Sequence, residues 1–171
     1  MPLNSARGSE SHVKILTTVL QLTLVMIAFV ALGSSALGQD REKRVTAKDM
    51  PPIVIANFKR AYPKATIRGY VSEIENGKQY YEIESREGAM QRDVLYNADG
   101  SVAEIEEVID ASALPRAALQ AIRQSHPRAV ITLTEKTVAG DKITYEVHAR
   151  EGRKRFAMEF DSDGKLLSKG K

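Results

Sequence analysis

Apolar residues recur along this chain with two different periods, and the change from one to the other happens twice. Val54, Ile55, Phe58 and Tyr62 stand at helical spacing and make one apolar face. The Pro51-Pro52 pair suits a first helical turn, where N–H groups lack partners anyway, and Asp49 can cap it. Pro63 stops the helix by pushing Tyr62 out of helical angles. From Ala65 the period is two. A strand to about Glu75 leads into Asn76-Gly77, a two-residue hairpin signal because both positions favour positive φ. Tyr81, Ile83 and Ser85 then alternate with Tyr80, Glu82, Glu84 and Arg86. Glu87-Gly88 makes the next turn, Val94 and Tyr96 share one face of a third strand, and Asp99-Gly100 turns into a fourth, Val102 to about Val108.

Sixty-four residues later the pattern repeats. Residues 47–103 lie over 111–167 without a gap, with thirteen paired positions identical, among them the turn residues Gly88/Gly152 and Asp99-Gly100/Asp163-Gly164. Turn residues in register mean equal loop lengths, and equal loops imply equal topology. Leu119, Ile122 and His126 carry the second helical stripe, ended by Pro127. The expected fold class is α+β: two tandem repeats, over 47–108 and 111–168, each a helix followed by a four-stranded antiparallel meander. Alternating strands imply a sheet with one wet face, the helices packed on the other.

The N-terminal region changes the compartment. Arg7 and Lys14 precede an apolar run from Ile15 to Leu32, and Ala36 and Gly38 place small residues before Gln39. This predicts an export signal over 1–38, cleaved between Gly38 and Gln39, then a solvated linker over 39–46. An uncleaved membrane anchor is the alternative, and in either case the remainder lies outside the cytoplasm. The chain has no cysteine, which excludes disulfides, thiolate metal sites and a cysteine nucleophile. A formal charge of +3, mixed with many acids, argues against nucleic acid as a partner.

Pro51, Phe58, Tyr62-Pro63, Ala65, Tyr81-Glu82, Gly88 and Asp99-Gly100 together resemble the PepSY-like, or β-lactamase-inhibitor-protein-like, domain family. Leu114-Pro115, Ile122, Pro127, Tyr145-Glu146, Gly152, Phe160-Asp161 and Asp163-Gly164 repeat the likeness. Tyr96-Asn97 departs from the family's usual Phe-Asp, and His126 from its usual Tyr. The resemblance implies an exported bacterial protein that binds another protein through an open sheet face. No inhibitory residues are recognisable for transfer.

Candidate chemistry is sparse. Tyr80, Glu82, Glu84 and Arg86 share a strand side, as do Glu146, His148 and Arg150, and Glu159 joins them. These eight are the candidate partner-binding residues, with Tyr80 a possible anchor. Paired carboxylates could serve acid–base work, but a solvated strand face with cross-strand ion pairs explains them more simply. His148 could be a base or a metal ligand, yet the first copy has Glu84 in its slot, and too few histidines exist for a His-rich zinc site. Asp161-Ser162-Asp163-Gly164 lacks the later ligands of a calcium loop and reads as a hairpin turn. The sequence therefore predicts a non-enzymatic protein-binding module without cofactor or metal, engaging an exported or envelope protein, with inhibition of an enzyme one form of that binding. A small-ligand or ion sensor, or a carboxylate-based hydrolase, is the alternative.

Overall fold

The computed structural model describes residues 41–170. The predicted export signal, its cleavage at Gly38/Gln39 and the first linker residues lie outside them. Strand β1 is Arg41–Arg44, followed by helix α1, Pro52–Ala61. Then come β2, Thr66–Glu75; β3, Lys78–Glu87; β4, Met90–Asn97; and β5, Val102–Val108. Helix α2, Arg116–Ser125, precedes β6, Val130–Ala139; β7, Lys142–Glu151; β8, Lys154–Asp161; and β9, Leu166–Gly170. All nine strands form one antiparallel sheet in sequential order.

Two expectations are corrected. The expected four-stranded meander per copy is not matched, because β5 pairs with β6 through Ile105↔Val138 to Val108↔Glu135 and both copies form one nine-stranded sheet. Residues 41–44, read as solvated linker, are strand β1 on β2. Their pairing, Arg41↔Ile74 to Arg44↔Val71, is that of β5 on β6 shifted by 64 residues. The structural repeat thus begins earlier than the sequence match. β1 has no apolar alternation to announce it, since an edge strand needs only backbone partners on one side.

The repeat holds in detail. Each copy has a β-bulge at the same place, between Ile67 and Gly69 and between Ile131 and Leu133. Asn76 and Gly77 have φ of 50° and 78°, as the hairpin reading required. Asp49 does not cap α1; it accepts hydrogen bonds from the N–H and hydroxyl of Thr46 and closes a short 3-10 turn, Ala47–Asp49. Asp161 accepts from the N–H groups of Asp163 and Lys165, so that segment is a turn.

Two apolar cores lie on one face, one beneath each helix. Met50, Val54 and Phe58 meet Ile83, Val94 and Tyr96. The equivalents Leu114, Ala118 and Ile122 meet Val147, Met158 and Phe160. Val54 and Phe58 of the helix shrink to Ala118 and Ile122, while Val94 on the sheet grows to Met158. The same exchange occurs at the helix end. Arg92 lies 4.2 Å above the Tyr62 ring, whereas its counterpart Phe156 stacks on His126 with centroids 4.1 Å apart.

Candidate functional site

Strand register sorts the polar residues onto the face away from the helices. Directly opposed residues of an antiparallel pair point to the same side. Glu82 opposes Val71 and Leu95, and Glu84 opposes Gly69 and Asp93. Asp93 in turn opposes Glu106, and Leu95 opposes Glu104. In the second copy Glu135, Glu146 and Glu159 face one another across β6, β7 and β8. All these side chains share the open face with Tyr80, Arg86, His148 and Arg150.

That face was expected to be solvated, and at its centre it is not. Glu82 is 5% exposed and Glu159 7%. Both sit on interior strands, flanked by a strand on either side. The electrostatic consequence is large. Burial, then the nearby Asp93 and Glu84 carboxylates, push Glu82 up to about 9. Burial, then the Glu84 carboxylate, raises Asp93 to about 6. Burial and the adjacent Glu135 raise Glu106 to about 8. Burial also raises Glu104 and Glu146.

Cations are few here. Arg44 donates to Glu84 at 2.9 and 2.6 Å. Gly69 permits this bridge, since a Cβ there would run into Glu84 and Arg44. His148 lies 3.5 Å from Glu135 and 3.3 Å from Glu146 through Nε2. Its hydrogen bond to Glu135 raises its pKa above the ordinary imidazole value.

The remaining candidates separate. Tyr80 carries the Lys78 ammonium 4.7 Å above its ring and opposes Glu73 and Asn97. Arg86 is exposed and donates to the Gly88 carbonyl at 2.7 Å, so it holds its own turn. Arg150 is exposed beside Arg155 at the sheet margin. Glu159 accepts from the Ser168 hydroxyl at 3.2 Å. Sequence reading missed Asp93, Glu104, Glu106 and Glu135. Asp93 and Glu135 are single acids in their strands, Glu104 and Glu106 lie two apart on β5, and only pairing across strands assembles the four.

Residues 27–104 and 79–168 each match the family model described as "Putative beta-lactamase-inhibitor-like, PepSY-like". No curated protein matches the chain. Among solved structures, one described as "putative periplasmic proteins" from Bacteroides eggerthii is similar, with TM-score 0.60, 14% identity, and coverage of 70% of this chain and 87% of that one. A BLIP-like protein from Bacteroides fragilis has TM-score 0.54 and 21% identity over 70% of this chain and 84% of its own. At these identities the likeness is one of fold.

Proposed function

The chain belongs to the PepSY-like, β-lactamase-inhibitor-like family, and on that footing we propose that it is an exported, non-enzymatic binding module whose open sheet face receives a cationic surface of another exported or envelope protein. Export rests on the sequence between Ile15 and Gln39. It agrees with the periplasmic description of a protein of similar fold. Among the described residues no helix is long and apolar enough to cross a membrane.

The observation that carries the reading is the row of carboxylates held above their ordinary range on the helix-free face. Each lacks enough positive charge nearby to be comfortably ionised. An arriving Lys or Arg would supply that charge, and the carboxylates would release protons as they ionise. Such a face gains specificity from charge complementarity, and wrong partners of like charge are repelled. Inhibition of a partner enzyme is one form this binding can take, by the name of the BLIP-like protein of similar fold.

Once a partner is captured, binding is measured against ionic strength and charge reversal. E104K/E146K is expected to weaken it at least tenfold, while K59E/R123E on the exposed helix surface leaves it within twofold. Equal affinity for wild type and E104K/E146K would show that the open face is not the interface.

A further inference from the structure

The second copy carries a set of side chains that the first does not. Glu135, Glu146 and His148 each present a ligand atom, and these atoms lie within 4.8 Å of one another. Their counterparts 64 residues earlier are Val71, Glu82 and Glu84. One position has therefore changed from apolar to carboxylate, and another from carboxylate to imidazole. Leu95 has likewise become Glu159. Three glutamates now stand directly opposite one another across β6, β7 and β8. Like charges directly opposed weaken a sheet. Glu135 is also 5% exposed, so it cannot shed that repulsion into water.

We propose that Glu135, Glu146 and His148 form a site for a divalent first-row cation of the Zn2+ or Mn2+ class. Such ions bind nitrogen and oxygen at about 2.0–2.2 Å, so neighbouring ligands of a tetrahedral site stand about 3.3–3.6 Å apart. Nε2 of His148 is 3.3 Å from Oε1 of Glu146 and 3.5 Å from Oε2 of Glu135, which are two such edges. Three protein ligands leave a fourth position for water, or for Glu159, which faces Glu146. An imidazole in the set favours zinc over calcium and magnesium, which prefer all-oxygen shells, and the two carboxylates also suit manganese. The rigid pairing of β6 with β7 holds the three donors in place before the ion arrives. This site stands on the geometry of the second copy alone and does not depend on a protein partner.

The test uses purified protein stripped with EDTA, then titrated calorimetrically with ZnCl2, MnCl2 and CaCl2. One Zn2+ or Mn2+ per chain is expected, with Kd in the micromolar range or tighter, and weaker binding of Ca2+. H148Q and E135Q should each weaken Zn2+ at least tenfold, and E82Q, in the first copy, should leave it within threefold. NMR of the histidine rings in the unmutated protein covers the case in which a variant does not fold. Zn2+ should shift Nε2 of His148 and leave His126 unmoved. Absence of Zn2+ and Mn2+ binding below 1 mM, an unmoved His148 ring, or equal Zn2+ affinity in wild type and H148Q would overturn the assignment.

Discussion

Arg44 on β1 reaches across Gly69 on β2 and clasps Glu84 on β3 through two hydrogen bonds. The edge strand is thereby tied to the sheet's second neighbour, over a residue whose lack of a side chain leaves room for the pair. Where the second copy has Leu133 at the glycine's position, the two clasping partners have become Val108 and His148. The glycine and the ion pair thus change together between the copies.

The first prediction concerns that clasp. G69A should cost about 0.5–1 kcal/mol, roughly what the exposed Arg44–Glu84 pair contributes, since the atoms a Cβ would meet are ends of flexible side chains that can move aside. R44A should cost about 0.5–1 kcal/mol, since Arg44 is 66% exposed and its pair is screened by water. Urea denaturation of the double variant should show coupling, with G69A less harmful once Arg44 is gone. Strict additivity would mean that the glycine serves another purpose.

Stability should fall as pH rises, and Glu82 should be the main reason. Folded Glu82 keeps its proton to about pH 9, whereas unfolded it loses it near 4.5. The folded state thus binds the extra proton between those values, so its contribution is whole below about 4.5 and is lost as pH climbs toward 9. Asp93 and Glu106 act in the same direction, toward about 6 and 8. His148, with its pKa raised, contributes stability present below its unfolded value of about 6.5 and lost above it. The slope for one such group is about 1.4 kcal/mol per pH unit. Thermal melts from pH 5 to 9 should therefore fall steadily, and E82Q should flatten the profile and raise Tm at pH 8. A wild-type maximum near pH 8 would contradict this.

Turn glycines in the two copies should differ in tolerance. Gly100 and Gly164 both have φ of 81°, so an alanine is strained at either. A Cβ at Gly100 would meet side chains, Asn57 Nδ2 at 2.7 Å and Ile53 at 2.9 Å. At Gly164 it would meet the Ala118 backbone nitrogen at 2.6 Å, which cannot swing away. G164A should exceed G100A in cost by about 1 kcal/mol or more, measured by chemical denaturation. Equal losses would show that α2 shifts freely on the sheet.

The two cores should fail independently. Phe58 and Ile122 occupy equivalent places in separate apolar clusters. F58A should cost about 3–5 kcal/mol and I122A about 2–5 kcal/mol. Because they share no neighbours, the double variant should be additive within about 0.5 kcal/mol. Coupling well above that would mean that the sheet transmits strain between copies.

Much of this architecture is legible in the residues. Helix limits follow from Pro51 and Pro63, and hairpins from Asn76-Gly77 and Asp99-Gly100, because each signal is local and acts within a few bonds. β1 escapes notice because Arg41-Glu42-Lys43-Arg44 reads as a charged linker. Its strand character comes from backbone pairing with β2 and from one distant carboxylate. Tyr80, Arg86 and Arg150 draw attention as candidates by lying beside Glu82 and Glu146, yet none of them joins the buried carboxylates.

By itself the sequence determined the duplication, the order of helix and strands, and which residues turn from the helices, since periodicity and turn chemistry are short-range properties. Only the tertiary structure decided that both copies complete one sheet and that Glu135 meets Glu146 and His148. Pairing between strands brings together residues that no local pattern relates. Burial within that sheet then sets whether each carboxylate is an ordinary surface charge or one held above its usual range.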